Sequence, residues 1–106
     1  MKLPKPFLNI AFLSTYPPRE CGIATFTQDL VLEMKKKRYL KTCVIAVSDG
    51  DQHYGSDVLF DFPQQDRKSY TAAAERINRS DIQILIIEHE YGIYGGDSGE
   101  YLLDLI

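Results

Sequence analysis

Hydrophobic positions along the chain fall into two alternating patterns. Short, continuously apolar runs at Ile10–Leu13, Thr42–Val47 and Ile82–Ile87 have the length and β-branched content of strands covered on both faces. Between them the apolar residues recur at three and four. Ile23, Phe26, Leu30, Val31 and Met34 predict a helix beginning near Gly22, and Tyr70, Ala73, Ala74 and Ile77 predict a second over 66–78 with Asp66 as its N-cap. Val58, Phe60 and Phe62 alternate on one face, which predicts a short extra strand ended by Pro63. Asp97 with Glu100 three residues on is a variant capping box, predicting a third helix whose apolar face begins at Tyr101, Leu102, Leu105 and Ile106. A helix cut off in its first turns buries little, so the expectation is a truncated domain spanning residues 1–106.

Strand–helix alternation of this kind implies an α/β layered sheet with right-handed crossovers. Ligands in such sheets collect outside the carboxyl ends of the strands, near a switch in strand order. Two long polar loops leave carboxyl ends here, after Leu13 and after Ile87. If both strands are central, the loops face each other across one cleft. Each carries glycine, and together they offer Arg19, Glu20, His89 and Glu90.

Composition narrows the partners. The chain has 106 residues, 44% of them hydrophobic, enough for one modest core. A net charge of -3 argues against general nucleic-acid binding. Cys21 and Cys43 show no metal or pairing spacing, which fits a reducing, cytoplasmic setting. No apolar run approaches the ~20 residues of a membrane span, and residues 1–6 lack a signal-peptide core. Residues 1–8 read as a loose lead-in because Pro4 and Pro6 block regular pairing. The run Lys35-Lys36-Lys37-Arg38 reads as a solvated last helical turn; peripheral contact with an anionic membrane is the alternative, but nothing adjacent supplies an apolar anchor. His53, in the polar loop 52–57, reads as solvated.

Several familiar chemistries are missing. There is no G-x-G-x-x-G after the first strand, no G-x-x-x-x-G-K-[ST] and no H-E-x-x-H. Cys21 at a helix start could serve as a thiol nucleophile, but a phosphatase-like loop needs arginine six residues on, where Thr27 stands. Gly22 is either a plain turn residue or a point of close phosphate approach. His89, directly past a buried strand and flanked by Glu88 and Glu90, is the candidate for ligand contact or proton handling. Glu88 reads as a solvated loop charge, and Gly92, Gly95 and Gly96 as residues that permit a tight loop.

The first loop, Ser14-Thr15-Tyr16-Pro17-Pro18-Arg19-Glu20-Cys21-Gly22-Ile23-Ala24-Thr25, resembles that of family 4 glycosyltransferases of GT-B architecture. His89-Glu90-Tyr91-Gly92-Ile93-Tyr94-Gly95-Gly96 is similar to the His-Glu-aromatic-Gly-Ile-aromatic-Gly-Gly loop of one branch of that family. Tyr70, Ala73, Ala74, Ile77 and Asn78 also fit the helix that precedes that loop in this branch. The resemblance runs from about Ile10 to Tyr101. It implies a Rossmann-like three-layer parallel sheet forming the front part of an N-terminal, acceptor-side domain. The C-terminal domain, which would supply most nucleotide contacts, lies outside this sequence. The implied activity is retaining transfer of a hexose, mannosyl or glucosyl, from a nucleotide-sugar to a sugar-type or lipid-type acceptor, without metal or cofactor; the fragment itself is expected to be inactive. By the same resemblance His89 is the catalytic candidate, and Gly22, Arg19, Glu90, Gly95 and Gly96 are the donor-phosphate candidates. Cys21 departs from the glycine many relatives carry there, and Glu88 from an uncharged residue. A non-enzymatic module binding a small anion or a protein through the same edge is the alternative.

Overall fold

β1 (Leu8–Ser14) is the axis of the molecule. The computed structural model describes residues 8–106, so the lead-in expected at 1–8 lies outside the described residues except for Leu8, which instead opens β1. β1 is followed by α1 (Gly22–Met34), β2 (Leu40–Ser48), β3 (Val58–Pro63), α2 (Arg67–Asn78), β4 (Ile84–Ile87) and a 3-10 turn at Glu100–Asp104. All four strands are parallel, in the order β3-β2-β1-β4. The result is an α/β domain with a four-stranded parallel sheet and two helices.

The period-two alternation of β1 and β2 builds two cores. Ile10, Phe12, Val44 and Ala46 face α1 and pack with Val31 and Tyr16. Ala11, Leu13, Ile45 and Val47 face α2 and pack with Tyr70, Ala73 and Leu102. Both faces of these strands are covered, which is why their sequences are apolar without interruption.

α1 follows its apolar spacing except at Phe26: Ile23, Leu30 and Met34 pack against the two cores and Val31 is buried. Its buried residues are Ala24, Thr27 and Val31, while Phe26 is 57% exposed. Thr27 is admitted because its hydroxyl shares a 3.0 Å hydrogen bond with the buried hydroxyl of Ser14 at the end of β1. The basic run 35–38 falls in the turn after the helix rather than in its last turn. α2 begins after Asp66 as expected, although the Asp66 carboxylate makes no capping bond.

β3 continues the sheet by an unusual route. Segment 49–57 connects two parallel strands with no helix, in fewer than the dozen or so residues common for such crossovers. A register shift between Val44 and Ile45 pairs them with Val58 and Phe60, leaving Leu59 unmatched. Val58 therefore packs with the α1-side core, and Phe60 and Phe62 with the α2-side core, instead of all three sharing one face.

Two further expectations are corrected at the C-terminal end. β4 spans four residues, is only half-buried and forms an edge among the described residues. The helix expected from Asp97 is a 3-10 turn that starts at Glu100, preceded by Gly99 in a left-handed conformation. The Glu100 carboxylate accepts the Ser98 N–H at 2.8 Å, and backbone N–H groups around it hold its pKa below the ordinary carboxylate value.

Tyr70 ties these parts together. Its buried hydroxyl donates to the Gln64 carbonyl at 2.8 Å and accepts the Gly95 N–H at 2.9 Å. Tyr70→Phe leaves that buried N–H without a partner and lowers unfolding free energy by about 1–3 kcal/mol. Urea denaturation checks this; an unchanged midpoint contradicts it.

Candidate functional site

The carboxyl ends of β1 and β4 lie side by side. Leu13 pairs with Ile87, and the Glu88 N–H extends the ladder to the Leu13 carbonyl at 3.0 Å. From β1 the chain turns towards β2, whereas β4 enters from the opposite direction through α2. This is the switch in strand order, and both glycine-bearing loops leave the sheet at it.

Loop 15–21 is built from buried polar contacts. Thr15 and Tyr16 are buried, the Pro17–Pro18 bond is cis, and the Arg19 N–H closes the turn onto the Tyr16 carbonyl at 3.0 Å. Thr15 Oγ1 lies 3.0 Å from Cys21 Sγ, holding the extended Cys21 at the helix entrance. The Cys21 side chain makes no capping bond, and among the described residues no other side chain caps α1. Its first N–H groups are therefore left for solvent or a ligand. Gly22 is exposed, and a Cβ there would meet nothing within 4 Å.

Loop 88–99 divides into an exposed tip and an anchored return. His89, Glu90, Tyr91 and Gly92 are exposed; Ile93, Tyr94 and Gly95 are buried. The Tyr94 hydroxyl lies 2.5 Å from the Glu88 carbonyl oxygen and 3.2 Å from that of Leu13, pinning the loop across the two strand ends. Burial raises its pKa well above the ordinary tyrosine value. The His89 and Tyr94 rings lie with centroids 5.9 Å apart. Ile23, at the start of α1, packs on the same core as Ile87 and Tyr94. Helix start and histidine loop thus share one rim.

The other candidates lie elsewhere. Arg19 reaches over the end of β2, where Nη1 donates to the Val47 carbonyl at 3.3 Å and Nε lies 3.4 Å from Asp49. Its side chain is 13% exposed, so it is largely taken up as a brace. Gly95 and Gly96 are turned away from the rim. The Gly95 N–H is held by Tyr70, and its missing Cβ makes room for the Gln64 carbonyl and the Tyr101 ring. The Gly96 N–H donates to Gln65 Oε1 at 3.2 Å, and a Cβ there would meet the Glu100 carboxylate. Gly95 is explained by packing against backbone and Gly96 by its φ of +91°, as a tight loop requires. Glu90 stays at the rim with His89.

Gln64 and Gln65 carry no motif in the sequence. Gln64 donates from its side-chain amide to the Gly92 carbonyl at 2.8 Å, and its backbone N–H reaches the Ser48 carbonyl at 2.8 Å. The two glutamines separate an open cleft of about 500 Å³ over the ends of β2 and β3 from one of about 260 Å³ against Tyr91 and Ser98. Their polar character was readable, but their partners lie some thirty residues away in sequence.

Electrostatically the rim is mixed. The α1 dipole favours an anion, whereas Glu20, Glu88 and Glu90 in the same loops oppose one, and Arg19 is partly offset by Asp49. Among the described residues no three His, Cys, Asp or Glu side chains group as metal ligands, and no helix is long and apolar enough to cross a membrane. Comparison with protein-family models, with curated proteins and with solved structures gives no match.

The two glycine environments predict opposite behaviour. Gly22→Ala should change stability by less than about 1 kcal/mol, in the stabilising direction if at all, because nothing obstructs the methyl. Gly95→Ala should destabilise by several times more, since the added carbon overlaps backbone. Thermal melts of both variants check the contrast; equal melting temperatures would remove it.

Proposed function

We propose that this domain is the acceptor-side part of a retaining glycosyltransferase that moves a hexose from a nucleotide-sugar to a sugar-type or lipid-type acceptor. The observation that carries the reading is the convergence of the uncapped α1 start and the His89 loop at the ends of two adjacent strands. The order β3-β2-β1-β4, which reverses between β1 and β4, supports a Rossmann-like reading, in which the rim at that reversal is where phosphate-bearing ligands would sit.

The chemistry follows from charge. As the sugar leaves, negative charge builds on the departing diphosphate. N–H groups at Gly22 and the residues after it stabilise that charge through the helix dipole, at no reorganisation cost. His89 donates to a phosphate or sugar oxygen. Its position on an exposed loop tip gives it access to a ligand held above the rim. Glu20, Glu88 and Glu90 weaken the hold of this half on the diphosphate without abolishing it. Most of the nucleotide-binding energy is therefore assigned to a second domain, and the reaction needs no metal in this account. Arg19 acts from beneath as a brace that fixes the loop before Gly22.

The same uncapped helix start supports a second reading, a small-anion binding module without transfer activity. Turnover separates the two. In the full-length polypeptide supplied with nucleotide-sugar and acceptor, His89→Ala is expected to lower kcat by about 100-fold, the range for losing one transition-state donor. Unchanged kcat removes His89 from the mechanism. Anion binding without any sugar transfer favours the second reading.

A further inference from the structure

We propose that the amino end of the sheet, opposite the candidate rim, is a docking surface for an anionic lipid bilayer. The run Lys35-Lys36-Lys37-Arg38 occupies the turn between α1 and β2, and Lys41 follows on β2. Lys35 is paired with Asp57, Lys36 with Glu33 at 3.0 Å, and Lys41 lies a loose 3.9 Å from Asp81. Lys37 and Arg38 are exposed and have no carboxylate within ion-pair distance among the described residues.

Cations alone would be an ordinary solvated turn. What changes the reading is the apolar surface beside them. Tyr39, the next residue, is 55% exposed, and Leu32, one helical turn before Lys36, is 49% exposed. Tyrosine is suited to the headgroup level, where its ring is apolar and its hydroxyl stays wet. Basic residues with an aromatic and an aliphatic side chain exposed among them match a surface that is anionic outside and apolar just beneath.

The charge distribution orients the contact. Glu20, Asp49, Asp51, Glu88, Glu90 and Asp97 belong to loops at the carboxyl ends of the strands, so an anionic bilayer repels that edge. β2, nine residues long, separates the two ends by about 30 Å. Docking by the basic turn therefore leaves the rim open to water and away from the lipid. This inference is independent of what the rim binds.

Co-sedimentation of the protein with vesicles tests it. Vesicles of phosphatidylcholine and phosphatidylglycerol in equal parts should bind the protein, and phosphatidylcholine alone should not. Lys37→Ala with Arg38→Ala should weaken binding by about 25-fold, some fivefold for each basic residue removed near an anionic surface. Tyr39→Ser should weaken it further without affecting the melting temperature, and Lys68→Ala on α2 should leave it unchanged. Absence of binding to the mixed vesicles, equal binding to neutral ones, or an equal loss with Lys68→Ala would each overturn the proposal.

Discussion

The structure depends on β1 being hydrogen-bonded on both edges and covered on both faces. It pairs with β2 along its whole length and with β4 over Ile10–Leu13. Ile10 and Phe12 are locked into one core, Ala11 and Leu13 into the other. A strand held from four sides cannot shift register without moving every apolar side chain to the wrong face. Its carboxyl end is therefore a fixed point, and everything at the rim is referenced to it. Ser14 fastens α1 there through Thr27, and Tyr94 fastens the β4 loop through the Leu13 carbonyl.

Those buried hydroxyl contacts explain how two long polar loops can hold defined positions. Each places its polar atoms against a partner, so burial carries no unsatisfied penalty. Around the rim, Thr15, Tyr70 and Tyr94 all work this way. The exposed parts, Gly22 and the side chains of His89, Glu90 and Tyr91, are what this framework leaves uncommitted. A rigid base carrying a few unengaged groups is the arrangement that ligand contact requires.

Much of the architecture was readable from local pattern. The apolar runs at Ile10, Thr42 and Ile82 led to parallel strands, although the third is only half-buried, and the loops after Leu13 and Ile87 do leave adjacent ends. Features decided by distant partners were not readable. Phe26 outranks Thr27 by hydrophobicity, yet Thr27 is inside because Ser14 waits for its hydroxyl. The alternation of Val58, Phe60 and Phe62 conceals a register shift imposed by pairing with β2. Asp97 and Glu100 look like a helix start, but the Glu100 carboxylate turns back to the Ser98 N–H. In the site, nothing in the sequence shows that Tyr70 and Gln65 take the N–H groups of Gly95 and Gly96. Arg19 shows the same limit, since its engagement with Val47 and Asp49 follows from strand order rather than from its neighbours in sequence.

The central claim is that the α1 start and the His89 loop form one binding edge. Titration of ¹⁵N-labelled protein with inorganic pyrophosphate, followed by NMR, addresses it most directly. The Gly22, Ile23 and Ala24 amides and the His89 imidazole should shift together along a single saturation curve. Perturbations confined to the Lys35–Arg38 turn, or shifts of His89 with the α1 amides unmoved, would contradict it.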